Sequence, residues 1–191
     1  MIVGITGGTG CGKTTALNAF GQLGGAILDC DAIYHRLLRE DHKLISAIDS
    51  RFPGTVTDGK LDRKKLGAIV FADKDALADL NHITHGAVRE EVLRLIKKET
   101  GHIAIDAIGL FEGGLAELCD VTVAVTAPEN CRVQRLMNRE HISEEYAISR
   151  IHAQKTQADF AGTCDHTLVN DGTQAEFQEK CLAFFRGLGI I

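Results

Sequence analysis

Gly7-Gly8-Thr9-Gly10-Cys11-Gly12-Lys13-Thr14 follows the apolar run Ile2–Ile5 after a single residue, Thr6. Its spacing, GxxxxGK[ST], is typical of a loop that wraps round phosphate groups between a strand and a helix. The glycines leave backbone N–H groups free, the next helix adds its positive dipole end, and Lys13 supplies a mobile cation. A glycine-rich turn with an incidental Lys-Thr is the alternative, but a strand and a helix are expected on the correct sides. The stretch therefore predicts binding of a nucleoside triphosphate.

Composition narrows the class of protein. The chain has 191 residues, 45% of them hydrophobic, and a net charge of -5. This length suits one domain with a lid or insertion, and the acidic balance disfavours a general nucleic-acid binder. No apolar segment approaches about 18 residues and the first residues show no leader pattern, so we expect no membrane partner and a cytoplasmic location. We expect a monomer or a weak homo-oligomer.

Cysteine and histidine spacing gives no metal or disulfide signature. The six cysteines form no CxxC pair, and His82 and His85 lack a third ligand group, so we reject a structural metal. Cys11 lies inside the phosphate loop, where a helix N-terminus and Lys13 are able to lower its thiol pKa and make it oxidisable. The favoured interpretation is simpler: Cys11 fills a position open to small residues.

Strand and helix patterns alternate, which predicts an α/β fold with a parallel sheet covered on both faces. The predicted strands are Ile2–Thr6, Ala26–Leu28, His102–Asp106, Val121–Val125 and Thr167–Val169. The predicted helices include Lys13–Leu23, Asp31–Arg39, His42–Phe52, Asp62–Phe71, Asp73–Thr84, Gly86–Glu99 and Gln174–Arg186, with a turn-rich break from Pro53 to Gly59. We divide the chain into a nucleotide core (1–30, 101–135 and 163–191), a helical acceptor region (31–100) and a lid (136–162).

Three aspartates stand where strands of such a sheet end. Asp29 and Asp31 follow the second strand, where Asp31 is able to accept the proton of an acceptor hydroxyl and Asp29 to orient it or hold a magnesium-bound water. Asp31 equally suits an N-cap for the next helix. Asp106 ends the third strand, where a carboxylate can hold magnesium through water, although strand-terminal aspartate is also a common turn former.

Arg132, Arg135 and Arg139 recur at i, i+3 and i+7 along one helix stripe. Like charges at this spacing repel one another unless an anion or carboxylates offset them. With Arg150 on the next helix, they suit a mobile lid that closes over a transferring phosphate. A solvated face paired with glutamates is the alternative. By contrast, the mixed charges of residues 89–98 predict plain solvent face.

Taken in order, these residues resemble the dephospho-CoA kinase family, and the resemblance spans nearly the whole chain. The matching stretches are Ile5–Thr15, Asp29-Cys30-Asp31, Gly59–Arg63, Leu80–His85, Leu110-Phe111-Glu112, Arg135 with Arg139, Arg150 with Gln154, and Val169–Gly172. That family transfers the ATP γ-phosphate to the ribose 3′-hydroxyl of dephospho-CoA. The resemblance implies a P-loop fold with a five-stranded parallel sheet, a helical CoA subdomain and a helical lid.

The resemblance also assigns roles. It implies Asp31 as the base, Arg135 as a clamp on the transferring phosphate, Asn170 and Gly172 at the adenine, and His85 with Arg63 on the acceptor. With the motif residues, the predicted catalytic set is Asp31, Lys13 and Arg135, and the predicted metal set, for Mg²⁺, is Thr14 and Asp106. The predicted ATP-binding set is Gly8, Thr9, Gly10, Cys11, Gly12, Lys13, Thr14, Thr15, Arg139, Asn170 and Gly172; the acceptor set is Asp31, Arg63 and His85.

The chain departs from the family pattern on the acceptor side. Gly86 replaces the usual proline after His85, which we expect to loosen the start of a helix, and Ile108-Gly109-Leu110 replaces Pro-Leu-Leu. Phe52-Pro53-Gly54 stands where the family has a Phe-Gly pair. Another small-molecule P-loop kinase, of the nucleoside monophosphate or shikimate type, remains the alternative. A nucleotide-dependent switch is disfavoured because the NKxD and DxxG motifs are absent.

Overall fold

The computed structural model describes residues 1–191, which form two compact units. The first comprises Met1–Leu28, Glu99–Phe111 and Leu115–Ile191, and the second comprises Asp29–Lys98 and Glu112–Gly114. In chain order the elements are β1 (Ile2–Thr6), α1 (Lys13–Gln22), β2 (Ala26–Asp29), α2 (Cys30–Glu40), α3 (His42–Arg51), β3 (Val56–Thr57), β4 (Lys60–Leu61), α4 (Arg63–Val70), α5 (Lys74–Ile96), β5 (Ile103–Asp106), β6 (Val121–Thr126), α6 (Glu129–Glu140), α7 (Glu144–His152), α8 (Gln157–Thr163), β7 (His166–Val169) and α9 (Gln174–Gly187).

A five-stranded parallel sheet, ordered β2-β5-β1-β6-β7, organises the first unit. β1 pairs with both β5 and β6, and all six residues of β6 are buried, as expected for a strand that is covered on both faces. The prediction of an α/β fold with five parallel strands is confirmed. The phosphate loop follows β1, at the carboxyl edge where such sheets bind ligands.

Helices α1 and α9 pack together on this sheet. Phe20 and Phe185 are fully buried and meet edge to face, with ring centroids 5.2 Å apart. Truncating a buried phenylalanine to alanine typically costs about 3–5 kcal/mol. The helix that follows the phosphate loop is therefore anchored by the apolar core.

Helices dominate the second unit, and each of its four begins with an aspartate cap. Asp29, Asp41, Asp62 and Asp73 accept hydrogen bonds from backbone N–H groups in the first turns of α2, α3, α4 and α5. Each cap satisfies donors that a helix start leaves without a partner, and replacing one by alanine typically costs about 1 kcal/mol. This repeated device explains where these helices start.

One local expectation for this unit is wrong, and one feature of it was not predicted. The predicted helices Asp73–Thr84 and Gly86–Glu99 form one 23-residue helix, α5, with Gly86 in its interior rather than at a start. The hydroxyl of Thr84 donates to Leu80 O at 2.8 Å, so the helix satisfies it internally. A single helix glycine costs only about 1 kcal/mol relative to alanine. The break after Pro53 contains the β3-β4 hairpin, whose turn residues Asp58 and Gly59 both have positive φ.

Candidate functional site

The phosphate loop, residues Gly7–Thr14, presents unused backbone donors. No acceptor within the protein engages the N–H groups of Gly10, Gly12 or Thr14, whereas the Lys13 N–H donates to the Cys11 thiol. The ammonium of Lys13 donates to Gly7 O at 3.0 Å, which holds this cation on the loop. Gly12 has φ 102°, and a Cβ there would lie 2.2 Å from Asn170 Nδ2, so only glycine fits. A row of N–H groups at a helix start with a nearby cation is an anion-binding arrangement.

Arg132 and Gln154 support one end of the loop from side chains distant in sequence. Arg132 Nε donates to Thr9 O at 2.8 Å, and Gln154 Oε1 accepts from Thr9 N at 2.7 Å. The guanidinium lies so close to Gly8 that a Cβ there would be 2.6 Å from Nη2. Both polar groups of Thr9 are therefore held by side chains of the α6–α8 region.

Arg135 and Asn170 support the other end. Arg135 Nη2 donates to Asn170 Oδ1 at 2.9 Å, and its Nη1 donates to Gly10 O at 3.3 Å. Asn170 is 4% exposed, and its Nδ2 donates to Cys11 O at 2.9 Å. Of the predicted site residues, these two are brought into direct contact, and both hold loop carbonyls. The Asn170 backbone is engaged as well: its N–H donates to Thr126 O at 2.8 Å, and its carbonyl accepts from Arg135 Nη2 at 3.4 Å.

The arginine stripe divides between two environments. Arg132 and Arg135 face the loop, whereas Arg139 is exposed and pairs with Glu140. Arg150 pairs with the same carboxylate, and the two guanidinium groups, Arg139 first, lower the pKa of Glu140. The alternative of a basic face paired with glutamate therefore describes Arg139 and Arg150. The assignment of Arg139 to ATP stays a prediction.

The Cys11 thiol is not activated. Its side chain is 1% exposed, and burial raises the thiol pKa more than the nearby charges of Lys13 and Arg132 lower it. The less favoured alternative, a lowered thiol pKa, is wrong because desolvation of a thiolate outweighs the attraction of two cations at this position. Cys11 acts as a small packing residue under the loop.

The predicted magnesium ligands lie on adjoining elements of the first unit. Asp106 ends β5 and is paired in register with Ile5 of β1, the strand that leads into the loop; Thr14 is exposed on the first turn of α1. The chain contains no group of three or more His, Cys, Asp or Glu able to hold a metal. One carboxylate and one hydroxyl fit Mg²⁺, because this ion keeps several waters and shares its coordination with substrate phosphates.

Asp29, rather than Asp31, caps α2. Asp29 Oδ1 accepts from Ala32 N at 2.9 Å, while Asp31 lies within the first turn. The alternative that Asp31 serves as the cap is therefore wrong, because the preceding aspartate occupies that position. Asp31 is exposed and its carboxylate makes no hydrogen bond with the protein. An exposed carboxylate with no structural task is available to accept a proton.

A cavity of about 540 Å³ opens on α5 and the short segment Glu112–Gly114. Its polar lining includes His82, His85 and Arg89, and Arg89 Nε donates to Gly114 O at 3.2 Å. Arg63 does not line this cavity; it is exposed at the start of α4, where its charge acts on Tyr34. Burial is the larger influence there and raises the Tyr34 pKa. Two of the three predicted acceptor residues, His85 and Arg63, thus lie on different helices of the second unit, α5 and α4.

The prediction of plain solvent face for residues 89–98 is wrong at two positions. Arg89 lines the cavity, and the Glu91 side chain is only 11% exposed because it bridges Arg36 and Arg94 at 2.5 and 2.6 Å. Hydrogen bonding to Arg94 contributes most to lowering the Glu91 pKa, to about 2, with Arg36 adding to it. The charge pattern of α5 could not predict the Glu91–Arg36 contact, because Arg36 lies on α2, far away in sequence.

Sequence reasoning placed Arg132 in the stripe and Gln154 in the family pattern, but gave neither a site role. The signal for Arg132 was its i, i+3 relation to Arg135, which puts both on the same helix face. Its burial was not visible from spacing alone.

None of the helices is both long enough and apolar enough to cross a membrane.

Comparisons with known proteins identify the family of this chain. A family model described as Dephospho-CoA kinase matches residues 1–176. The dephospho-CoA kinase of Bacillus thuringiensis subsp. konkukian is 34% identical, over 100% of this chain and 98% of that relative. A Thermus thermophilus crystal structure (TM-score 0.83, 30% identity) and the dephospho-CoA kinase from Campylobacter jejuni (TM-score 0.71, 26% identity) each match over 98% of this chain and 96% of theirs. The chain belongs to the dephospho-CoA kinase family.

Proposed function

We propose that the protein transfers the γ-phosphoryl group of ATP to the ribose 3′-hydroxyl of dephospho-CoA, which yields CoA and ADP. The 3′-oxygen forms a bond to the γ-phosphorus, the bond to the β,γ-bridging oxygen breaks, and Asp31 takes the hydroxyl proton. The observation that carries the proposal is the phosphate loop, where the N–H groups of Gly10, Gly12 and Thr14 are unused beside the Lys13 ammonium. The family match over nearly the full chain supplies the acceptor.

On the nucleotide side, the loop N–H groups bind the β- and γ-phosphates and Lys13 moves from Gly7 O onto them. Arg135 stabilises the charge on the transferring phosphoryl group, since preorganised cations act most strongly where charge develops. Arg139 assists from the next turn, and residues 136–162 close as a lid. The adenine binds against the chain at Asn170 and Gly172, beside a cavity of about 380 Å³ that includes Gly172 in its lining.

On the acceptor side, His85 and Arg63 bind dephospho-CoA. The cavity at His85 and the exposed guanidinium of Arg63 support contacts with a long, phosphorylated acceptor. Thr14 and Asp106 would hold Mg²⁺, which neutralises phosphate charge when it is bound. We also propose that the protein is cytoplasmic, where ATP is available to the reaction, and that it is a monomer or a weak homo-oligomer.

An acceptor panel tests the proposal. Purified protein is mixed with ATP, Mg²⁺ and either dephospho-CoA, AMP, CMP or shikimate, and ADP release is followed by a coupled assay. Of the four acceptors, we expect only dephospho-CoA to support turnover. Phosphorus NMR should show that its product carries the new phosphate at the 3′ position. Faster turnover with shikimate or a nucleoside monophosphate would overturn the acceptor assignment while leaving the kinase chemistry in place.

A further inference from the structure

Arg132 is a buried cation, and the only carboxylate that acts on its charge, Glu129, does so without forming an ion pair. The residue is 3% exposed, forms no ion pair, and its buried Nη2 has no hydrogen-bond partner. Burial has the largest effect on the Arg132 pKa and lowers it. The nearby Cys11 and Glu129 raise the pKa, but by less. Arginine nevertheless stays protonated in proteins. A charge buried without compensation is costly, and proteins keep such groups where an opposite charge binds.

The contacts of Arg132 determine the direction of a loop N–H group. A trans peptide holds its C=O and N–H pointing in opposite directions, so the bond from Arg132 Nε to Thr9 O turns the Gly10 N–H away from the guanidinium. Asn170 acts alike on Cys11 O, which turns the Gly12 N–H. Both N–H groups are among those with no acceptor within the protein. Arg132 therefore contacts the loop on the side opposite to its free donors.

We propose that Arg132 is a positioning residue for polyphosphate binding: it orients the Thr9–Gly10 peptide, and its buried charge is balanced by the nucleotide phosphates on the other side of the loop. This inference rests on the proposed nucleotide site. It predicts that the charge of Arg132 lowers the stability of the free protein and raises the stability of the nucleotide complex. A purely structural arginine would stabilise both.

Arg132→Gln tests the charge, because glutamine retains an N–H donor for Thr9 O but is neutral. We expect calorimetry to show ADP and inorganic pyrophosphate binding weakened by about tenfold, equivalent to ~1.4 kcal/mol. The Tm of the free protein should be unchanged or higher, and the Tm increase on adding ADP should be smaller. Arg132 acts on ground state and transition state alike, so KM for ATP should rise while kcat changes little.

Gln154→Glu tests the same idea without altering the arginine. Gln154 Oε1 and Arg132 Nη2 lie within 3.2 and 2.6 Å of the same point, the Cβ position of Gly8, so a carboxylate at 154 gives the guanidinium an internal counter-charge. The acceptor for Thr9 N is retained. We expect a more stable free protein that binds ADP more weakly. Arg132→Lys, which keeps the charge, should retain more ADP affinity than Arg132→Gln.

The matched control is Arg186→Gln, an exposed arginine near the end of α9, which should alter neither Tm nor ADP affinity. Wild-type affinity for ADP in Arg132→Gln, or a parallel loss of free-protein Tm and ADP affinity in both test variants, would overturn the inference. Absence of ADP binding by the wild type would instead overturn the proposed nucleotide site.

Discussion

The phosphate loop and the acceptor cavity are built in different ways. The loop offers backbone donors, and buried side chains such as Arg132 and Asn170 hold its carbonyls from behind. The cavity offers side chains, His82, His85 and Arg89, on the open face of one long helix. Backbone donors must be held rigidly to bind phosphate, whereas a side-chain wall leaves room for variation in a large acceptor. The contrast shows that a binding site made of main-chain donors depends on a fixed backbone geometry more than a site made of side chains does.

Removing the mobile cation is the strongest test of the loop. Lys13→Ala should abolish detectable turnover and leave the fold intact, because the lysine contacts only Gly7 O within the protein and its loss disturbs no core packing. Steady-state ADP release and the thermal midpoint should be measured together. Lys98→Ala, at an exposed lysine, is the control. A folded Lys13→Ala protein with normal turnover would show that the loop is not the reacting site.

Asp31→Asn tests the chemistry assigned to the second unit. We expect kcat to fall by roughly two to four decades with little change in KM for ATP, since loss of a general base has an effect of that size. Asp41→Asn is a sharp control, because Asp41 caps α3 and asparagine caps a helix nearly as well as aspartate, so both Tm and kcat should be preserved. Equal kcat in the two variants would remove Asp31 from the catalytic set.

Arg135→Ala separates catalysis from loop support. A cation that stabilises the transferring phosphoryl group should cost about 10²-fold in kcat when it is lost, while ADP, which lacks that group, should bind within about threefold of wild type. Arg139→Ala should have a smaller effect because that guanidinium pairs with Glu140. If Arg135→Ala weakens the binding of ADP and ATP equally and leaves kcat unchanged, Arg135 is a positioning residue of the loop, like Arg132.

The smallest expected effect concerns stability of the helical unit. The Glu91 pKa of about 2 lies below its ordinary 4.5, so its ion pairs stabilise the fold fully above about pH 4.5 and lose this effect as pH falls toward 2. Glu91→Gln should lower Tm near pH 7 by about 2–4 °C per kcal/mol lost. The difference should shrink continuously below about pH 4.5. The exposed neighbour Glu90→Gln should show no such pH-dependent gap in a thermal-melt series.

Much of the fold was predictable because its signals are local. The buried strands, the loop and most helix starts follow from apolar runs, glycine spacing and capping aspartates. The continuity of α5 was missed because Gly86 and Thr84 resemble a break, yet a glycine weakens a helix only slightly and Thr84 bonds within it. The β3-β4 hairpin was missed because two-residue strands show no alternation.

The candidate site was predictable only in part. The loop is a contiguous motif, and Arg135 and Asn170 were identified through the family pattern before the structure brought them together. The burial of Arg132 and the Glu91 bridge depend on partners more than 50 positions away, 123 for Arg132 and Thr9 and 55 for Arg36 and Glu91. Sequence periodicity reports which face a residue occupies, but not what covers that face.

Strand β1 has a consequence for biosynthesis. It pairs with residues near 103 and 121, and Cys11 O receives its bond from Asn170, 159 positions later. Ribosomes add about 5–20 residues per second, so the loop emerges roughly 10–30 s before the asparagine that shapes it. The nascent N-terminus has no sheet partners until residues 103–124 emerge, and Cys11 O has no partner until Asn170 emerges. The oldest part of each newly made chain is thus among the last to mature, and ATP cannot assist the early stages of its folding.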